Sequence, residues 1–168
     1  MNRTKTKSTA FTLIELLTVV AIIAILVGLL FPAILIAIKN AEKAQAKEDE
    51  KHIEIAVRNF FTEYGRLPSA TVGPDTPTGT DNSSIINELI ASNATLNPKR
   101  ITFLELPNRK NARINGSFCD PWGQPYSITL DTDYNNVVSN FNGICLVVSG
   151  GPDAKMNTPA DNIINLTQ

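Results

Sequence analysis

Glu15 is a lone carboxylate inside an apolar run, and its setting asks for a chemical explanation. The run begins Phe11-Thr-Leu-Ile-Glu-Leu-Leu, and between Glu15 and Lys39 lie 23 residues without a charge. A helix of 23 residues rises about 35 Å, enough to cross a hydrocarbon layer of about 30 Å. A carboxylate near the end of such a helix costs up to about 2.5 kcal/mol or more, depending on its depth. It must therefore either snorkel to the headgroups or meet a cation. Cleavage between Ala10 and Phe11 would create that cation, the new α-amino group of Phe11, about one helical turn from Glu15. Between chains staggered in a filament, the amine of one and Glu15 of the next would form an ion pair that sets register.

The elements that position this pair follow from charge. Residues 1–10 carry Arg3, Lys5 and Lys7 and no acid, whereas the rest of the chain is net acidic. That asymmetry keeps the N-terminus in the cytoplasm and sends the remainder across. A secretory signal has an apolar core of about 7 to 15 residues ending at a small-residue cleavage site. This run is longer and ends in Pro32, Lys39 and a charged helix. Residues 11–38 therefore read as a retained membrane helix. Pro32 lacks the donor for the Gly28 carbonyl, so a kink or loosening is expected between Gly28 and Pro32. Residues 39–64 continue as a soluble stalk helix. Lys43, Lys47 and Lys51 repeat every four residues and repel, and the charge run reads as a solvated face. Ile53, Val57, Phe60, Phe61 and Tyr64 form an apolar stripe that should bury against a sheet. Gly65 and Pro68 end the helix. His52 reads as a surface or boundary residue.

Composition narrows the remaining chemistry. Of 168 residues, 18% are charged and the net charge is -1, so a strongly basic nucleic-acid binder is not the expected class. A single histidine argues against a His-based triad, and two cysteines exclude a four-cysteine zinc site. Asp120, Asp131, Asp133 and Asp153 could pair as catalytic carboxylates, but turns and hairpin tips explain them more simply. Cys119 and Cys145 would lie outside the cytoplasm, where a disulfide is possible; a buried free thiol is the alternative for Cys145, which sits in an apolar strand.

The head, residues 39–168 including the stalk, reads as α+β. A loop fills 65–82, and Ser83 or Ser84 caps a short helix to about Ala91. Residues 101–106 are ambiguous between helix and extended chain, and 108–116 form a basic, Asn-rich connection. Trp122 is expected to cap the core. Tyr126, Ile128 and Leu130 alternate as in a half-buried strand, and 131–136 form a hairpin loop. Gly143 to Ser149 is the clearest strand, apolar enough to be buried on both faces. The expected architecture is a long N-terminal helix packed on a small antiparallel sheet. In the C-terminal segment, Asp153, Asp161 and Asn162 flank a Gly/Pro-rich turn with the oxygen chemistry of a Ca2+ loop, although on the residues alone a polar surface loop is the favoured explanation.

Two sets of motifs carry a family resemblance. Lys-Ser-Thr-Ala-Phe-Thr-Leu-Ile-Glu-Leu before an apolar run resembles the class III signal of type IV pilins and type II secretion pseudopilins. Ala10 stands where that family usually has Gly. The resemblance implies cleavage by a prepilin peptidase before Phe11, N-methylation of Phe11, and a filament core built from the 11–38 helix. It also implies a type IV pilin-like fold and a helix that melts near Gly28 and Pro32 on packing.

Asp120-Pro-Trp-Gly-Gln-Pro-Tyr126, then Ser149-Gly-Gly-Pro-Asp153, then Ala160-Asp-Asn-Ile163 resembles the major, G-type pseudopilin of type II secretion. So does Tyr64-Gly-Arg-Leu-Pro68. That resemblance implies a Ca2+ loop using Asp153, Asp161 and Asn162 with carbonyls from Leu146 to Ser149; Ala154 stands where the family often has Gly, and Asn162 where it often has Asp. The implied function is a non-enzymatic structural subunit of a pseudopilus that helps export folded proteins. The implied partners are further copies of itself, minor pseudopilins, the peptidase, an inner-membrane assembly platform and membrane lipid, with no nucleic acid. The implied location is the bacterial inner membrane with the head in the periplasm. A type IV pilus subunit for adhesion, motility or DNA uptake is the alternative, followed by a membrane-anchored binding module or enzyme.

Overall fold

The computed structural model describes residues 12–69, 73–156 and 162–165. Its first element is a single helix, α1 (Leu13–Tyr64), which runs unbroken through Gly28 and Pro32. Two compact units meet within that helix, Met1–Asn40 and Ala41–Gln168. In the first unit, the described helix is long and apolar enough to cross a membrane, and its large apolar side chains from Leu13 to Ile38 stand exposed. A helix that is apolar on all sides and unburied has lipid or other helices as its natural surroundings.

In the second unit α1 becomes amphipathic. Ile53, Ala56, Val57 and Phe60 are fully buried, and Phe61 and Tyr64 are partly buried against the same core. Phe60 packs at a tilt against Tyr64 and edge-on to Phe103, with ring centroids 4.7 and 5.3 Å apart. Gly65 stops the helix with φ +65°, and its N–H donates to the Phe61 carbonyl at 2.8 Å, the left-handed cap that glycine adopts without a Cβ clash.

The short helix α2 (Ser83–Leu89) follows, with Asn82 at its N-cap position and no side-chain cap bond. Asp81 Oδ1 instead accepts the Ser83 N–H at 2.9 Å. Asn82 is fully buried and spends its side chain elsewhere: Nδ2 donates to the Phe118 and Tyr126 carbonyls, and Oδ1 accepts the Phe118 N–H. Residues 101–107 form neither helix nor strand and are held by the Phe103 and Leu104 N–H groups donating to the Leu89 carbonyl.

Within 108–118 lies a hairpin, β1 (Arg113–Ile114) with β2 (Ser117–Phe118). Asn115 and Gly116 both have positive φ, the two-residue hairpin turn for which Asn-Gly is the preferred sequence. The principal sheet has the order β3-β6-β7, formed by Ser127–Leu130, Cys145–Ser149 and Ile163–Ile164. All its pairings are antiparallel, with Ser127 opposite Val148 and Leu130 opposite Cys145. β3 is buried at all four positions rather than alternating; Thr78 covers its free edge, its N–H donating to the Ile128 carbonyl and its Oγ1 accepting the Ile128 N–H, both at 2.9 Å. The connection from β3 to β6 holds a second small hairpin, β4 (Val137–Val138) with β5 (Phe141–Asn142). β6 takes the central place that its apolar sequence predicts.

Candidate functional site

At the N-terminal end of the described chain, Thr12 and Glu15 form a reciprocal cap. Glu15 Oε2 accepts the Thr12 N–H at 2.9 Å and its hydroxyl at 2.6 Å, while the Glu15 N–H donates to Thr12 Oγ1 at 3.3 Å. This is a capping box, and the Thr-x-x-Glu spacing before an apolar run is its sequence signature. The cap occupies Oε2 and leaves Oε1 without a partner among the described residues. One carboxylate can thus close its own helix end and still accept a further cationic donor. Ala10 and Phe11 lie outside the described residues.

The second set of features sits in the head. Asp120 Oδ1 accepts the Trp122 and Gln124 N–H groups at 3.1 and 2.8 Å, which folds Asp120-Pro-Trp-Gly-Gln into a tight turn. Asp120 Oδ2 accepts the Ser149 hydroxyl at 2.7 Å, and Ser149 Oγ accepts the Gly151 N–H at 3.1 Å. The two sequence segments around Asp120 and Ser149 are thereby one physical unit. Trp122 is half-buried at its edge, with Nε1 donating to Glu42 at 3.1 Å.

α1 supplies acids to the same interior. Asp49, Glu50 and Glu54 are buried, which corrects the expectation of a wholly solvated charge run. Asp49 Oδ2 accepts the Tyr126 hydroxyl at 2.8 Å. Arg109 Nη1 lies 2.7 Å from the same oxygen as an ion pair, without hydrogen-bond alignment. Glu50 Oε1 accepts the Ser149 N–H at 3.1 Å, while Oε2 is buried with no partner. Glu54 accepts Arg58 through Oε1 and Asn165 Nδ2 through Oε2. Burial pushes the Asp49 and Asp120 carboxyls above their usual range and Glu50 up to about 8. Burial, and then the Asp49 charge, raises the Tyr126 phenol, so it stays a donor.

The C-terminal loop is closed at its base by β6 and β7, with Ser149 opposite Ile163. A 3-10 turn, Gly151–Asp153, opens it, and Ala154 follows in the left-handed region at φ 59°. Asp153 Oδ1 accepts the Lys155 N–H at 2.9 Å. Asn162 Nδ2 donates to the Met156 carbonyl at 3.0 Å, while its Oδ1 is buried without a partner. An orphaned amide oxygen at the loop base fits a hard cation, which takes side-chain and backbone oxygens together. Asp161 lies outside the described residues.

Cys119 and Cys145 are both buried free thiols, so the disulfide left open by the sequence is not formed. Burial raises both thiol pKa values, which keeps them unreactive. A carboxylate group that sequence reasoning did not assemble is Asp75, Asp131 and Asp133, whose oxygens lie within 4.8 Å of one another. These acids are occupied in folding the loop: Asp131 accepts the Asn135 and Asn136 N–H groups, and Asp75 accepts the Thr132 N–H. His52 is exposed, as expected.

Residues 5–31 match the family described as the prokaryotic N-terminal methylation motif. The chain carries a prepilin-type signal. This motif indicates a type IV pilin-like or pseudopilin subunit, and it implies processing by a prepilin peptidase and pilus-like self-assembly. The α+β architecture, a long N-terminal helix with small antiparallel sheets, is that of the type IV pilin-like fold. The exposed apolar helix, which begins within the matched residues, fits a membrane-anchored pilin. No curated protein and no solved structure matches the chain significantly.

Proposed function

We propose that the chain is the major structural subunit of a type II secretion pseudopilus. The observation that carries the filament reading is the methylation motif at residues 5–31, continuous with a helix whose apolar side chains are unburied from Leu13 to Ile38. The peptidase cuts between Ala10 and Phe11, methylates Phe11, and leaves the 11–38 helix in the inner membrane with the head in the periplasm. Subunits then add at an inner-membrane platform, helix against helix. Each Phe11 amine pairs with Glu15 of a neighbour, so that a register error leaves an unpaired charge in an apolar core. The growing filament, capped by minor pseudopilins, moves folded proteins outward. Support for secretion over a surface pilus is the resemblance of Asp120–Tyr126 and Ser149–Asp153, whose junction is the Asp120–Ser149 hydrogen bond. Ca2+ held by Asp153, Asp161 and Asn162 with strand-end carbonyls would pin the C-terminal loop, and the orphaned Asn162 oxygen supports it.

Mass spectrometry of the mature N-terminus tests the reading. A chain beginning at methylated Phe11 is expected, and an intact Met1 would reduce it to a simple anchor. Deleting the gene should abolish export of folded proteins; loss of surface pili with export unchanged would move the chain to the pilus class.

A further inference from the structure

The first turn of the stalk has little apolar surface to hold it to the head. From Ala41 to Gln45 the helix reads Ala-Glu-Lys-Ala-Gln, and only Glu42 and Gln45 are even partly buried. Residues 12–41 are exposed throughout, and the first fully buried side chain of α1 is Ala46. Hydrophobic burial therefore starts at Ala46, and only a directional bond can serve before it.

That bond comes from Trp122. Its Nε1 donates to Glu42 Oε2 at 3.1 Å, across 80 positions of sequence. Among the described residues it is the one hydrogen bond or ion pair that any side chain of residues 41–48 makes. The indole has a single donor in a fixed direction, so the turn that carries it decides where it points. That turn is closed on itself: Asp120 is buried, its Oδ1 accepts the Trp122 and Gln124 N–H groups, and the Gly123 N–H donates to the Asp120 carbonyl at 3.0 Å. Asp120 Oδ2 accepts the Ser149 hydroxyl, which fixes the turn to the end of the central strand.

We infer that Trp122 is a positioning residue that clasps Glu42 and holds the first turn of the stalk to the head. With the clasp closed, the stalk is held from Glu42 onward. Without it, the hold begins at Ala46, about one turn or about 6 Å further along the helix. The line of contact runs from Ser149 through Asp120 and Trp122 to Glu42, so the principal sheet and the stalk from Glu42 onward move as one body. The inference concerns the head by itself and does not depend on the filament reading. For a filament subunit it sets the length of stalk that is fixed to the sheet.

Hydrogen–deuterium exchange of the full-length chain in detergent micelles tests it. Trp122→Phe keeps a ring and loses the donor. Glu42→Met keeps the helix propensity of glutamate and loses the acceptor oxygens. Each should speed amide exchange across residues 42–45 by about fivefold, because opening this turn no longer breaks a hydrogen bond of ordinary net worth. Glu42→Gln, which keeps an acceptor oxygen, should exchange as the wild type does. The double variant Trp122→Phe with Glu42→Met should be no faster than either single one, since both remove the same bond. Amides of β3 and β6 should keep wild-type exchange throughout, which a misfolded or globally destabilised head would not do. Wild-type exchange at 42–45 in both single variants, equal speeding by Glu42→Gln, an additive double variant, or faster exchange in β3 and β6 overturns the inference. The filament reading stands in each of those outcomes, because the chain in micelles is unassembled.

Discussion

The Tyr126 hydroxyl donates to Asp49 Oδ2 at 2.8 Å, with both side chains buried in the head. This bond ties the stalk helix to the strand-entry turn across 77 positions of sequence. Among the described residues it is also the one aligned hydrogen bond to that oxygen, because Arg109 approaches it only as an ion pair. Tyr126→Phe should therefore destabilise the head by about 1–3 kcal/mol, the cost of leaving a buried acceptor short of its donor. Urea unfolding of the unit that begins at Ala41 measures it, and an unchanged midpoint would show that Arg109 alone satisfies Asp49.

Glu50 makes stability depend on pH. Its folded carboxyl titrates at about 8, well above an ordinary glutamate, because burial disfavours the charge. Between about pH 4.5 and pH 8 the folded head then holds a proton that the unfolded chain has released. Stability is thus fully present below that window, falls as pH rises through it, and levels off above pH 8. The raised Asp49 and Asp120 carboxyls add slope of the same sign from lower pH. Glu50→Gln should flatten the curve and raise Tm at pH 8.5 relative to the wild-type head. A parallel loss of Tm at every pH would mean that the carboxyl is needed for packing alone.

Glu15 has two separable roles, since it caps its own helix through Thr12. Glu15→Gln keeps a capping-box acceptor but removes the charge. It should leave cleavage and membrane insertion intact and abolish or greatly reduce filaments, whereas Thr12→Ala should weaken the cap and still assemble. Normal filament yield from Glu15→Gln would show that the carboxylate serves only its own helix.

The C-terminal loop predicts a Ca2+ response. A ligand that binds only the folded state stabilises by about 2.7 kcal/mol at a hundredfold excess over Kd. The head should melt higher in several millimolar Ca2+ than with chelator, with Asp161→Ala removing most of the gain and Mg2+ substituting poorly. Equal melting across that range would withdraw the metal and keep the loop as a hydrogen-bonded turn.

Ala154 sits at φ 59°, a backbone region that disfavours a Cβ. Ala154→Gly should relax about 1 kcal/mol of that strain, offset in part by a more flexible unfolded chain. A Tm rise without Ca2+ checks it, and a fall would show that the gain in unfolded-chain entropy outweighs the relieved strain.

Local pattern alone determined the membrane segment, the prepilin-type signal, the stalk stripe through Ile53, Val57 and Phe60, the Gly65 stop and the central strand at Cys145–Ser149. Each depends on length, composition or periodicity within one element, and neighbours in sequence carry that information. The Thr12-x-x-Glu15 cap and the Asn115-Gly116 hairpin are equally local, and their signatures lie in the sequence. The fate of the charges is of another kind. Asp49, Glu50 and Glu54 lie on the helical stripe that continues Ile53, Val57 and Phe60, off which Lys47, Glu48 and Lys51 stand; periodicity places those acids on the buried face, but nothing local says what would pair with them there. Their partners are Tyr126, Ser149 and Asn165, which are 77, 99 and 111 residues away. The burial of β3 on both faces, the Asp120–Ser149 junction and the unpaired cysteines were decided in the same way. A charge or thiol is stable inside only when packing brings a specific donor to it or keeps water out, and that depends on contacts made only when distant segments meet.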